Sequence, residues 1–519
     1  MTRPRRIAFF GGRILTMEPG CPRAEVLLVE GDRIARVGGP ELLSLPGLER
    51  RDLRGRFLLP GFVDAHNHLS IAALHPLWAD LSTARTPEDF ARALREQARR
   101  EPEAPWIRGF GWDEGHGGFV PDRGFLDSLD LGRPTLVAHY SLHQGVVDSR
   151  GLAELGIGRS TPDPPGGEIV RDARGEPTGL LVERAWSEAH ARSLAAYRDP
   201  ERWPELVLGR ARTLLSEGVT CVHDAACSPR AEALYGSMLR DLPLSVLAMP
   251  HPEALFFPPE LSRLGGAVTG EGTEVLRVGA WKLFADGGAA PAIDGCLGGE
   301  RVRYGTLFPD LEVAVREVAE RGFDVAIHAI GNAGLEAALD AIEAYRRKRK
   351  ARPVRFRIEH VVLASPRQIR RMATLGVTPV VQPAFVDHIG RAVRDVRFED
   401  LLWLPFASLR DAGLELAASS DHPCAFSAPL LGAARGSTRR TAGGEVLLAE
   451  EAVPFEEWLR AFTLGAARAG GQENERGSLR EGKRADLVVL EGELDPERPP
   501  AVVETWVGGT CAFSVEQDG

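Results

Sequence analysis

Between residues 57 and 474, short apolar runs alternate with longer stretches of helical periodicity, and no other feature limits the fold so strongly. The runs are Phe62–His66, Thr220–His223, Leu244–Met249, Val278–Phe284, Asp324–His328, Phe356–His360, Thr378–Gln382 and Glu415–Ser420. Continuous apolar, β-branched runs mark strands buried on both faces, and parallel strands of this kind need helical crossovers between them. The later intervals supply such helices at Leu311–Arg321, Ala333–Lys348, Pro366–Leu375 and Phe406–Ala412. Eight runs is the strand count of a (β/α)8 TIM barrel, so the expected fold class is α/β with that barrel over residues 57–474. The gap between the first and second runs is far too long for one crossover. Residues of about 70–205, rich in Pro, Gly and Trp, are therefore expected to form an inserted subdomain able to cover a site.

Both ends of the chain read differently. Ile7–Phe10, Ile14–Met17, Val26–Val29 and Ile34–Val37 are short strands separated by Gly-containing turns, and Ala485–Leu490 and Val502–Gly509 have the same pattern. They predict a small β-sandwich built from residues 1–56 together with 475–519.

Charge and cysteine usage narrow the partners. With 63 basic and 73 acidic residues the net charge is −10, and no basic stretch offers the cationic patch that nucleic acid requires. No apolar run approaches the ~20 residues of a membrane span. The basic opening, Met1 to Arg6, is followed by too short an apolar run for a secretory signal. Six scattered cysteines read as reduced thiols and place the protein in the cytoplasm. A small-molecule substrate is the partner class left, with a homodimer open.

The polar residues of interest fall at the C-terminal ends of the strand candidates. His66 and His68 alternate at the end of the first, so that both imidazoles point one way. Lys282 lies in the fourth, His328 ends the fifth, His360 the sixth and Asp421 follows the eighth. Each has a plain reading alone: a hydrogen-bonded core histidine, a lysine reaching for solvent, a capping aspartate. Together they fall where a barrel gathers its catalytic groups, and four imidazoles, a carboxylate and a lysine make a divalent-metal site. His223 and Asp286, at strand ends, and Trp112 and His143, in the insertion, are candidates to touch substrate. Cys424 reads as buried packing.

Several stretches resemble the amidohydrolase superfamily, in its YtcJ-like and N-substituted formamide deformylase-like branch, amidohydrolase family 3. They are Pro-Gly-Phe-Val-Asp-Ala-His-Asn-His at 60–68, Gly-Gly-Glu-Ile-Val-Arg at 166–171 and Gly-Glu-Pro-Thr-Gly-Leu-Leu at 175–181. Further on come Gly-Val-Thr-Cys-Val-His-Asp-Ala at 218–225, His-Ala-Ile-Gly at 328–331, Arg-Ile-Glu-His at 357–360 and Ser-Ser-Asp-His-Pro at 419–423. The run from Gly477 to Leu490 resembles the return of the family's chain to its terminal β domain. The resemblance implies one or two divalent ions, usually zinc. His66, His68 and Asp421 would hold one, His328 and His360 the other, and Lys282, carboxylated, would bridge them. It implies hydrolysis of a non-peptide C–N bond (amide, N-formyl, carbamate or cyclic amide) by metal-activated hydroxide, with Asp421 as general base and then acid. The chain departs from the family pattern at Asp286-Gly287-Gly288-Ala289-Ala290-Pro291, at Asn332 and at Phe385, on loops expected to meet substrate. Two other readings use the same residues: an esterase, lactonase or deaminase on this scaffold, and a catalytically silent barrel that binds a ligand. The retained Asp421 speaks against the second, because a structural metal site is closed and needs no spare base.

Overall fold

The computed structural model describes residues 4–114, 119–257, 265–348 and 353–515. The ends of the composite β region (1–3, 516–519), the first residues of the basic opening and part of the insertion (115–118) lie outside the described residues.

The apolar runs form two parallel arcs. Phe62–Asn67, Val219–Cys227, Ser245–Pro250 and Leu276–Val278 pair side by side in one. Trp281–Phe284, Val325–Ala329, Phe356–His360, Thr378–Val381 and Ala417–Ala418 pair in the other. Backbone bonds join the arcs on both sides. The Gly279 amide donates to the Ala248 carbonyl at 2.7 Å. Opposite, the Asp421 amide donates to the His66 carbonyl at 2.8 Å, and the His68 amide to the His422 carbonyl at 2.9 Å. The architecture is α/β and TIM-barrel-like. Two runs differ from expectation for visible reasons. The fourth is broken at Gly279-Ala280, where one arc hands over to the other. The eighth shrinks to Ala417–Ala418, because the Ser420 amide beyond it donates to the Asp64 carboxylate rather than to a strand.

Helices cover the outside of the arcs. Pro366–Leu375 begins with a reciprocal Ser365/Gln368 capping box and Pro366 in its first turn, and it stops at Gly376 in the left-handed conformation (φ +54°). Its buried face carries Gln368, Ile369 and Met372. Asn332–Arg346 lays Leu335, Leu339 and Ile342 on the main core, which also takes Val325 and Ile327 from the strands.

The terminal strands build two sheets. One has the order 33–38, 26–30, 6–10, 49–52; the other runs 510–514, 501–507, 487–491, 57–60, 13–15, 23–24. Ile7, Phe9, Leu27, Val29, Leu58, Leu487, Val489 and Trp506 share one core, with Trp506 edge-on to Phe9 at 5.2 Å. Strand Phe57–Pro60 belongs to this second sheet, so its one-residue separation from Phe62–Asn67 places the start of the parallel arcs directly against the β layer.

The insertion holds a six-stranded sheet ordered 167–171, 177–183, 144–147, 135–139, 107–112, 79–80. Helix Pro87–Arg100, capped by Thr86 and Asp89, lies on it and buries Phe90 and Leu94 with Leu81, Ile107 and Trp112. Helix Arg202–Ser216 returns the chain to the strand Val219–Cys227.

Candidate metal centre

The pair of backbone bonds between His66–His68 and Asp421–His422 decides the geometry, because it brings two segments more than 350 positions apart into contact. Asp421 is held at φ +57° and His360 at φ +77°, conformations that a non-glycine residue keeps only when its surroundings impose them. One Asp421 oxygen, Oδ1, lies 3.4 Å from Nε2 of His66 and 3.2 Å from Nε2 of His68. The donor atoms of these three residues all lie within 4.8 Å of one another. The other ring nitrogens are already committed. Nδ1–H of His68 donates to the Ala225 carbonyl at 2.8 Å, and Nδ1–H of His66 donates to the Glu359 carboxylate at 2.5 Å. Both Nε2 atoms therefore present lone pairs to a carboxylate oxygen. Three such donors repel one another unless a cation sits among them, and imidazole plus carboxylate is a donor set for zinc and its neighbours. The residues fit a divalent metal.

Glu359 anchors the arrangement from behind. Its carboxylate accepts from Arg357 Nε at 2.6 Å and Nη2 at 2.8 Å, and both side chains are buried. Arg357 also donates to the Ala65 carbonyl and to Nδ1 of His223 at 3.1 Å. A carboxylate on the far nitrogen of a ligating histidine fixes its tautomer and ring plane.

His328, His360 and Lys282 line the same chamber but stand outside the tight three-residue cluster. His360 donates from Nδ1 to Gln382 Oε1 at 3.0 Å, and Gln382 donates in turn to the Ser419 hydroxyl at 2.9 Å. Its ring centroid is 4.9 Å from that of His66 and 4.5 Å from that of His328. Burial first, opposed by Asp421, pulls the His360 imidazole down to about 4, so it is a neutral donor at pH 7. Among the described residues, Nε2 of His328 is buried and has no hydrogen-bond partner. The same holds for Nζ of Lys282, whose residue is 1% exposed. Burial lowers the Lys282 amine to about 8 against the pull of Glu359 and Asp421, leaving about a tenth of it uncharged at pH 7 and about half near pH 8. Asp421 is held well below the usual carboxylate range: burial pushes it up, and His66, His68 and His360 outweigh that.

The chamber has a volume of about 350 Å³ and walls from Leu142, Phe256, Phe284, Ile330, Val362, Phe385 and Trp403. Among the described residues, Asp421 and Lys282 supply its only formally charged side chains. Phe385 lies parallel to the His360 ring at 6.0 Å.

The four residues expected to touch substrate separate. His143 lines the chamber. Trp112 does not: it is 2% exposed within the insertion's own core, edge-on to His139, because its strand turns that face toward the helix Pro87–Arg100. His223 is fully buried inside the arc, tied to Arg357, and burial with that guanidinium drops it to about 3. Asp286 is also withdrawn, its carboxylate accepting the amides of Ala292, Ile330 and Gly331 and so clamping the loops after two strands. Burial raises it to about 7 despite those amides. Cys424 lines the chamber as well as packing. Glu359, Arg357 and Gln382 were not anticipated as parts of the centre. Two charges at alternate positions of an otherwise apolar strand, Arg357 and Glu359, are the signal that points to them.

The model of the amidohydrolase family matches residues 49–513. The chain belongs to the amidohydrolase family. Within it, the chain is 33% identical to the N-substituted formamide deformylase of Arthrobacter pascens, over 99% of each chain. It is 30% identical to the YtcJ protein of Bacillus subtilis (strain 168), over 94% of this chain and 95% of the other. Among solved structures, an uncharacterized metal-dependent hydrolase from Pyrococcus horikoshii OT3 superposes with a TM-score of 0.73 at 26% identity, covering 94% of this chain and 98% of that one. Membership in this family makes the chain a metal-dependent hydrolase of C–N bonds.

Proposed function

We propose that the protein hydrolyses a neutral, largely apolar amide-type substrate, of the amide, N-formyl, carbamate or cyclic amide kind, to a carboxylic or carbamic acid and an amine. The observation that carries this reading is the convergence of two imidazole lone pairs on one buried carboxylate at the floor of an aromatic chamber. His66, His68 and Asp421 would hold one divalent ion, for which zinc suits the nitrogen-rich donor set, and His328 and His360 would hold a second. Lys282 is the bridging candidate: its amine is buried, unpartnered and partly uncharged near pH 8, the state that takes up carbon dioxide to form a carbamate. When bound, metal at this position acidifies water toward neutrality and polarises a carbonyl.

The chain's own residues do the rest. Asp421, ionised at neutral pH, accepts the proton of the attacking water and returns it to the departing nitrogen, the base becoming the acid. Glu359 keeps Nδ1–H of His66 occupied, so Nε2 stays available as a donor. The apolar walls exclude water and favour an uncharged substituent. The parallel arcs are read as one closed barrel over 57–474, entered through the strand Phe57–Pro60 that pairs in the β layer, with the insertion at about 70–205 and a β-sandwich made of 1–56 and 475–519 joined by that strand.

The test uses neutral amides, N-formyl amines, carbamates, cyclic amides and esters, with and without chelator, on wild type and Asp421→Asn. Amide turnover lost to chelator and restored by zinc supports the proposal. Asp421→Asn should lower turnover by about 10²- to 10⁴-fold, the usual worth of general acid–base catalysis, with the fold intact. Wild-type turnover in that variant would refute the role.

A further inference from the structure

Tyr140 lines the chamber wall, and the chemistry above leaves its hydroxyl unused. It stands in the turn between the strands Thr135–His139 and Gln144–Val147, and its amide donates to the Trp112 carbonyl at 3.1 Å. Trp112 is packed in the insertion's own core, so the turn is anchored there. On the other side the Cys424 thiol donates to the Ser141 carbonyl at 3.5 Å, which ties the turn to the loop that carries Asp421. The Tyr140 ring is held between His139 (4.3 Å, 47°) and His388 (5.7 Å, 29°). His388 closes the single helical turn Phe385–His388, whose first residue lies over the His360 ring. Packed rings thus fix Tyr140 relative to the metal centre, yet among the described residues its own ring touches none of the ligating imidazoles.

The wall's other hydroxyl and indole groups are engaged or peripheral. Ser141 Oγ meets Nδ1 of His139 at 2.7 Å and accepts the His143 amide at 3.2 Å. Nε1 of Trp403 donates to the Val396 carbonyl at 2.9 Å. Tyr304 stands at the rim, 55% exposed. Tyr140 is half-buried, and among the described residues its hydroxyl has no hydrogen-bond partner. Burial, with the carboxylates of Asp113 and Glu114 nearby, pushes the phenol above its ordinary value, so it keeps its proton and donates. A hydroxyl facing a filled apolar chamber costs free energy unless the bound molecule supplies an acceptor. The same two carboxylates disfavour an anion, so the acceptor that fits is an uncharged oxygen.

We propose that the Tyr140 hydroxyl donates to a second, uncharged oxygen of the substrate, set apart from the scissile bond. The site then prefers amide-type substrates that carry an ether, hydroxyl or carbonyl oxygen on the acyl chain or the nitrogen substituent. The inference rests on the amide-hydrolase reading and deepens it. No covalent bond forms or breaks at Tyr140: the phenol keeps its proton and shares it with the acceptor from binding to product release. A contact made equally in the bound substrate and the transition state acts on KM and leaves kcat unchanged. Substrates lacking the oxygen leave the phenol unpaired, and the site discriminates against them for that reason.

The experiment uses the metal-loaded full chain and a series of amides in which an ether oxygen replaces one methylene at successive positions. Each ether is compared with its methylene isostere and with the corresponding ester, and the preferred ether with an analogue bearing a carboxylate there. Wild type and Tyr140→Phe are assayed, with metal content and thermal midpoint measured for both; phenylalanine retains the stack on His388. In wild type, one position is expected to favour the ether by about 10- to 100-fold in kcat/KM, carried by KM, the worth of one hydrogen bond to a buried polar group. In Tyr140→Phe that preference should shrink to within about threefold, with methylene compounds changing by less than about threefold and metal content retained. The carboxylate analogue should be about tenfold poorer than the ether. A series with no Tyr140-dependent position, an equal loss on ethers and methylene compounds, a loss carried by kcat, a loss of metal or a preference for the carboxylate would each overturn the assignment. A wild type that cleaves the esters and no amide would instead overturn the amide-hydrolase reading itself.

Discussion

Replacing Glu359 with glutamine exchanges one oxygen for an NH2 group, yet it strikes three contacts at once. The carboxylate is fully buried, accepts two N–H groups from Arg357 and takes Nδ1–H of His66. The amide retains one acceptor oxygen and presents a donor where a second acceptor stood. Arg357, 2% exposed, is left with the Ala65 carbonyl and the His223 nitrogen and no counter-charge. Removing one partner of a buried ion pair costs about 3–5 kcal/mol, and because glutamine still satisfies one donor the lower end is expected. His66 loses the acceptor that fixes its tautomer, which costs about 10- to 100-fold in metal affinity, or about 1.4–2.7 kcal/mol.

Two measurements separate these effects. Urea titration of the metal-free protein reads the ion pair, and competition with a chelator of known affinity reads the metal. Glu359→Asp is the control: it keeps the charge beside Arg357 but is one methylene too short for His66. It is expected to recover most of the stability while still binding metal weakly. Glu359→Gln with metal affinity within twofold of wild type and a stability change under about 0.5 kcal/mol would refute the reasoning, because a surface contact would behave that way and a buried one cannot.

Lys282→Met replaces an unpartnered buried amine with an apolar chain of similar length; the metal-free variant should be about 1–3 kcal/mol more stable than wild type by urea titration, while binding less metal. The His223 pKa falls from an unfolded value near 6.5 to about 3 in the fold, so its contribution to stability is complete above pH 6.5 and declines as pH falls toward 3. Between pH 7 and pH 5 wild type should therefore lose about 2 kcal/mol more than His223→Gln, and equal losses in urea titrations at the two pH values would refute this. Gly287→Ala drives a methyl group into the Glu183 carboxylate that accepts the Ala289 and Ala290 amides and should cost about 1–3 kcal/mol by urea titration, whereas a change under about 0.5 kcal/mol would refute the overlap.

The parallel arcs were legible because burial on both faces forces a run of apolar residues, and a run is visible without knowing its neighbours. The residues at the arcs' ends were legible for the same reason: where an apolar strand stops at a histidine or aspartate, strand direction alone says which mouth it faces. Lengths were less so. The strand Ala417–Ala418 is two residues long because Asp64, from the far side, takes the Ser420 amide, and nothing local to residues 415–420 announces that. Trp112 and His143 mark the boundary most sharply. Both lie in the insertion, each beside a glycine-containing stretch (Gly111 and Gly145), and sequence ranks them alike. The difference is placement: Trp112, at the end of the strand Ile107–Trp112, turns to the helix Pro87–Arg100, and His143, in the turn just before the strand Gln144–Val147, reaches the chamber.

Partner residues are harder still, since a hydrogen bond leaves no periodic trace. Arg357 and Glu359 were an exception available to inspection, because two charges on one face of a buried strand have no stable option except each other. Glu183 had no such signal. It sits at the end of a strand whose alternation reads as ordinary, 40 positions from His143 and more than 100 from the loop whose amides hold it. What distinguishes it is a positive φ, and a positive φ on glutamate is legible only in coordinates. Ligands to a metal must be particular side chains at strand ends, so chemistry restricts them before folding is considered. The groups that orient ligands and substrate need only reach, and reach is a property of the folded chain.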